Sequence, residues 1–134
     1  MRRGGRAPLA GAATAQAATS APHTLTSSWT SLALKNGWTD YGNGTAGPAV
    51  INISGIVHLE GAMHNSTNPP NPEVFILPAG FRPTHNVWVS VDMNNANRGH
   101  ILIAPNGQVT VFPEANIWSN AAAFTSFDGA SFAV

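Results

Sequence analysis

The chain has 134 residues with six Lys+Arg against six Asp+Glu, so it is formally neutral, and only 9 % of it is charged, far below the roughly 25 % of an average soluble domain. No net basic charge and no Lys/Arg cluster beyond the Arg-rich start argue against nucleic-acid binding, while 43 % hydrophobic residues are enough for one domain core and exclude an acidic, solvated coil. The lack of Cys removes disulfides, thiolate metal sites and thiol catalysis together, and no run approaches the roughly 20 continuous apolar residues of a spanning helix, so membrane insertion is not expected.

Residues 1–24 differ in composition from the rest: an Arg/Gly start, then an Ala/Thr/Gln segment from Ala7 to Ala21, closed by Pro22. This reads as a short N-terminal arm. Pro8 suits the first turn of a helix running through Leu9 to Ala18, yet a lone helix of about 12 residues with one large apolar side chain is marginal in water. The arm is therefore expected to be flexible or to be held by a partner. The positive start and Ala15-Gln16-Ala17 have the form of a cleaved leader, but Leu9 is the only strongly apolar residue between them.

From Leu25 onward, short apolar runs alternate with Gly, Pro, Asn and Ser, the pattern of antiparallel strands joined by tight turns. Strands are predicted at Ser31–Lys35, Ala49–Ile53, Ile56–Met63, Val74–Leu77, Val87–Met93, His100–Ala104, Gln108–Phe112 and Ala130–Val134, and no amphipathic helix. About eight short strands in about 110 residues predict an all-β fold, an antiparallel β-sandwich of jelly-roll type over residues 25–134. Within it Val87, Val89, Val91 and Met93 alternate with Trp88, Ser90 and Asp92, so the first set is expected in the core and the second outside. Ile101 and Ile103, the turn Pro105-Asn106-Gly107, then Val109 and Val111 continue as a hairpin. A six-residue connection, Asn94 to Gly99, is expected to set Asp92 beside His100 and Trp88 beside Ala104.

Few residues carry recognisable chemistry. His58, Glu60 and His64 invite a metal reading, but their spacing fits no zinc signature, and His58-Leu59-Glu60 lacks the paired Cys of the zinc deaminases. No G-x-S-x-G elbow, P-loop or dinucleotide fingerprint is present. Two carboxylates suffice for a glycosidase, but six acids in the whole chain make a poor basis for one. Neither an enzymatic role nor a cofactor is expected. What remains is a candidate ligand face of Trp88, Asp92, Asn94, Asn95, Asn97, Arg98 and His100. An aromatic ring beside amide and guanidinium donors is the mixture that binds sugars, whose ring faces stack while their hydroxyls seek polar partners. An outward Trp is more often buried against another subunit than against a ligand, and simple surface packing is a third reading.

Several motifs resemble a known family: Trp29-x-x-Leu32-x-Leu34-x-Asn36-Gly37-Trp38, Gly55-Ile-Val57-x-Leu59-x-Gly61, Leu77-Pro78-Ala79-Gly80-Phe81-Arg82-Pro83, Gly107-x-Val109, and Phe127-Asp128-Gly129-x-Ser131-Phe132. They look like the C-terminal head domain of phage tail-fibre and receptor-binding proteins, over Trp29 to Phe132. The resemblance implies a trimeric β-sandwich at the tip of a fibre, on the virion tail or capsid surface, that binds bacterial surface glycans without a cofactor. Its motif residues read as structural. Leu77 ends a strand, Pro78 and Pro83 stiffen a loop expected to cross between sheets, and Gly80 supplies an unusual backbone conformation. Arg82 reaches nearby carbonyls, and Asp128-Gly129 turn the chain into the last strand. The arm shows neither a heptad nor a Gly-X-Y shaft repeat, so the expectation is either that it joins the head directly to other virion proteins or that the sequence begins inside a longer gene. The alternatives are a capsid or tail decoration protein with the same fold and no receptor, and a carbohydrate-binding module appended to an enzyme.

Overall fold

The computed structural model describes residues 28–134; the residue 1–24 arm of the sequence reading lies outside them. Eleven strands are formed, β1 (Thr30–Ser31), β2 (Trp38–Asp40), β3 (Ala49–Ile53), β4 (Ile56–Glu60), β5 (Ala62–Asn65), β6 (Glu73–Ile76), β7 (Val87–Met93), β8 (Asn97–Ile103), β9 (Gln108–Pro113), β10 (Thr125–Ser126) and β11 (Ser131–Ala133). They assemble into a four-stranded sheet, β1-β3-β4-β11, and a seven-stranded sheet, β2-β5-β10-β7-β8-β9-β6. Every described pairing is antiparallel, so the fold is the expected all-β sandwich.

The two sheets enclose one apolar layer because their strands alternate. Val50, Val57 and Leu59 from the smaller sheet meet Phe75, Val91, Met93, Ile101, Ile103, Val109 and Val111 from the larger one, all buried. Phe75 and Phe127 pack edge to face with centroids 5.5 Å apart, an arrangement that matches the positive edge of one ring to the negative face of the other. Trp38 is buried with its indole Nε1 donating to the Asn71 carbonyl at 2.7 Å, which satisfies the one polar atom its burial takes from water.

The run predicted as a single strand from Ile56 to Met63 divides at Gly61, with β4 in one sheet and β5 in the other. Gly61 has φ +102°, and a Cβ there would lie 2.5 Å from the Gly47 carbonyl carbon, so only glycine fits the corner. The neighbouring β10 and β11 change sheets at the same place, since β11 pairs with β4 and β10 with β5. One two-stranded ribbon therefore bends through both sheets. Its bend is stitched by Gly61 N–H donating to Asp128 Oδ1 at 2.8 Å, Phe127 N–H to the Gly61 carbonyl at 2.7 Å and Leu59 N–H to the Ala130 carbonyl at 2.9 Å.

Three further expectations are corrected. A short helix, α1 (Trp118–Ala123), precedes β10; Ala121 and Ala122 are its buried residues, and so little apolar surface in one and a half turns leaves no readable periodicity. The β7–β8 connection is the three-residue turn Asn94–Ala96, not six residues, because Asn95 and Ala96 take φ +58° and +59° and the Asn97 amide donates to the Asn94 carbonyl at 2.8 Å. Asp92 therefore faces Arg98, and Trp88 faces Leu102. A slip of two residues keeps each side chain on its expected face. Finally, the Leu77–Pro83 loop does not cross between sheets: it joins β6 to β7 within the larger one.

That loop closes one end of the sandwich. Leu77 is buried and its carbonyl accepts Arg82 Nε at 2.7 Å, while its N–H donates to the Gly107 carbonyl at 2.8 Å. Pro78 and Gly80 are exposed and Pro83 is buried. Gly80 has φ +97°, and its carbonyl accepts the Asn52 amide of β3 at 3.0 Å, tying the loop to the opposite sheet. Asp128 and Gly129 form the turn between β10 and β11, where Gly129 has φ +83°.

Candidate functional site

The outer face of β7, β8 and β9 is built by the same alternation that fills the core. With Val91, Ile101, Ile103, Val109 and Val111 turned inward and buried, their neighbours point out, and the register arranges them in rungs across the three strands. Asp92 faces Arg98, and one step beyond the Gly99–Pro113 pair Glu114 comes beside Arg98. The next rung is Ser90, His100 and Phe112; then Trp88, Leu102 and Thr110; then Ala104 with Gln108. Rungs lie two residues apart, so four of them run about 20 Å along the strands.

The centre of this face is aromatic. The Trp88 and His100 rings meet edge to face with centroids 5.0 Å apart, while Trp88–Phe112 and His100–Phe112 are tilted pairs at 5.6 Å and 5.8 Å. Trp88 is 57 % exposed, an unusual position for the largest apolar side chain of the strand. The cluster flanks a depression of about 300 Å³ lined by Trp88, Val89, Ser90 and His100. A second, of about 230 Å³, shares Ser90 and His100 with it and is completed by Arg98, Gly99 and Glu114. Toward the other end, Leu102, Ala104, Asn106, Gln108 and Thr110 line a third of about 260 Å³.

The polar groups here are uncommitted. The ion pair among the described residues is Lys35–Glu73, at 3.7 Å and remote from this face. No hydrogen bond or ion pair among the described residues engages the side chains of Asp92, Arg98 or Glu114, so two carboxylates and a guanidinium present free acceptors and donors to solvent. Gly99 between Arg98 and His100 faces inward, where a Cβ would run into the buried Met93 side chain. The groove floor between Arg98 and His100 is bare backbone.

Of the residues singled out from sequence, Trp88, Asp92, Arg98 and His100 share this face, and Trp88 and His100 are in ring contact. Asn94, Asn95 and Asn97 do not join them: Asn94 and Asn95 lie in the turn at its charged end, and Asn97, the first residue of β8, pairs with the inward Met93. Sequence reasoning missed Phe112, Leu102 and Glu114, and it set Ser90 on the outer face without counting it among the candidates. The alternation that turns Val109 and Val111 inward already turns Phe112 outward. His58 and Glu60 lie on β4 and His64 on β5, in different sheets, and no cluster of three or more metal-ligating side chains occurs among the described residues. No helix among them is long and apolar enough to cross a membrane.

A second exposed apolar region lies on the outer face of the smaller sheet. Ile53 and Ile56 are cross-strand partners there and both are exposed, and Trp29, which precedes β1, is exposed as well.

No protein-family model matches the chain, and no curated protein matches it. Among solved structures it is similar to the receptor binding protein gp15 of Listeria phage PSA, with a TM-score of 0.60 and 16 % sequence identity, over 80 % of this chain and 64 % of that one. It thus spans just under two thirds of the length of that protein. At this identity the likeness is one of architecture: the chain has the β-sandwich fold found in a phage receptor-binding protein.

Proposed function

We propose that this protein is a phage virion surface protein, a tail-fibre or spike head that attaches the particle to its host by binding cell-surface glycans through the outer face of β7–β9. The observation that carries the reading is the exposed Trp88–His100–Phe112 cluster with uncommitted polar side chains beside it, on a fold shared with a phage receptor binding protein. Aromatic faces stack on sugar rings, and carboxylate, guanidinium and amide groups satisfy the hydroxyls. The protein acts by binding, without catalysis or a cofactor. It works as a homotrimer, supported by a content of only 9 % charged residues and by the exposed Ile53–Ile56 patch on the outer face of the smaller sheet, which association would cover. Residues 1–24 join it to other virion proteins, and Asn94, Asn95 and Asn97 border the ligand at the turn. The motif residues Leu77, Pro78, Gly80, Arg82, Pro83, Asp128 and Gly129 support the fold and take no part in binding.

The test is sedimentation of the fluorescently labelled full chain with purified cell walls from a panel of bacteria, with light scattering for mass. Specific capture by some walls and a mass of three protomers are expected, with Trp88→Ala abolishing capture and leaving the mass unchanged. The same apolar face on the smaller sheet favours a second reading, a decoration subunit seated on a capsid or tail lattice. In that case no wall is bound, and Trp88→Ala is silent or disrupts assembly.

A further inference from the structure

The outer face of β7–β9 is longer than any one of its depressions. The first two share Ser90 and His100, and Leu102, which lines the third, is the cross-strand partner of Trp88, which lines the first. The three therefore form one shallow groove following β8 from Arg98 to Ala104, about 20 Å at the strand rise. Its chemistry is graded along that length. Asp92, Arg98 and Glu114 stand at one end, the aromatic cluster in the middle, and Asn106, Gln108 and Thr110 at the other.

A site for a single terminal sugar needs a concave pocket that buries most of the ligand's surface. This face is not built that way. Its aromatic platform lies in the middle beside Ser90 and His100, and further hydrogen-bonding groups continue to both ends, Arg98 and Glu114 at one and Asn106, Gln108 and Thr110 at the other, a span no single ring can cover. We infer that the ligand is a linear polymer of hydroxyl-bearing rings lying along β8, stacked on Trp88 at mid-length and hydrogen-bonded at both ends of the groove. With two carboxylates flanking one guanidinium at the polar end, the ring hydroxyls are the groups recognised there, not an anionic substituent. This inference rests on the proposed glycan-binding role of the same face.

The experiment takes the wall polysaccharide of a strain whose walls capture the full chain, cleaves it by mild acid, and size-fractionates the fragments as competitors of capture. Inhibition per mole should rise with fragment length by on the order of tenfold or more from the monosaccharides to fragments that span the groove, then level off. Arg98→Ala and Gln108→Ala, at opposite ends, should each weaken the long fragments several-fold and leave short ones unchanged, with far-UV circular dichroism confirming that both variants are folded. Monosaccharides as potent as long fragments, or sensitivity at one end only, would overturn the polymer reading and leave glycan attachment standing. Capture by no wall in the panel overturns both.

Discussion

Gly61→Ala probes the bend that lets one ribbon serve both sheets. Alanine at φ +102° is held in a sparsely populated backbone region, and its Cβ would sit 2.5 Å from the backbone of Gly47 and Pro48, which cannot swing aside as a side chain does. Backbone strain of about 1–3 kcal/mol and overpacking of about 1–3 kcal/mol act together, and any shift of the corner also weakens the bond from Gly61 N–H to Asp128. The matched control is Gly129→Ala, at φ +83° with nothing within 4 Å of the added Cβ. It carries strain without the clash, about 1–2 kcal/mol. Both substitutions reduce the freedom of the unfolded chain by the same about 0.4–1 kcal/mol, so that contribution cancels in the comparison. Urea unfolding followed by tryptophan fluorescence should place Gly61→Ala about 2–3 kcal/mol below Gly129→Ala. If the two variants fall within about 0.5 kcal/mol of each other, the corner is not sterically closed and the argument fails.

Phe127→Ala removes a buried ring from the Phe75 pair and should cost about 3–5 kcal/mol in the same assay. Trp88→Ala, at an exposed site, should cost about 1 kcal/mol or less, so a large loss would show that Trp88 is buried in an assembly. Asp128→Asn keeps an acceptor for Gly61 N–H and should stay near the parent, whereas Asp128→Ala loses that bond and should be about 1–2 kcal/mol less stable. Arg82→Ala deprives the Leu77 carbonyl of its 2.7 Å donor and should cost about 1–2 kcal/mol by thermal unfolding, with wall capture intact.

The parts of this fold legible in sequence were those where one side chain per position decides the outcome. Period-two alternation from Val87 to Met93 assigns core and solvent faces independently of register, which is why Trp88, Asp92 and His100 stand outward although the pairing is shifted by two residues. Asn106-Gly107 marks its hairpin through a local backbone requirement, met by φ +91° at Gly107. Tertiary contacts decided the rest. Nothing around Gly61 announces a corner, because the requirement comes from the backbone of Gly47 and Pro48, 14 and 13 residues away in the chain. Strands β2 and β10, of three and two residues, are too short to carry a period and exist because β5 and β7 offer them edges. The loop from Leu77 to Pro83 showed its rigid residues in sequence, but its destination depended on strand order.

Placing the candidate site on strands has consequences for how it can bind. The three rings are anchored by their strand neighbours: Trp88 by the half-buried Val87 and Val89 packed against the core, His100 by the buried Gly99 and Ile101, and Phe112 by the buried Val111 and Pro113. Such a surface is preformed, so little ordering entropy opposes binding. It is also open and shallow, with rings on one side of the ligand only, and that limits the affinity of a single copy. Attachment through such a face gains strength from repetition, because further copies on one particle bind at the effective concentration set by their spacing. A homotrimer would supply that repetition, and an extended groove matches a wall polymer that offers the same unit many times. Under the proposed role, this geometry favours modest single-site affinity with slow release of the whole particle. The inward half of each strand is held by the core while the outward half is free to change, so this face can be rewritten without disturbing the sandwich beneath it.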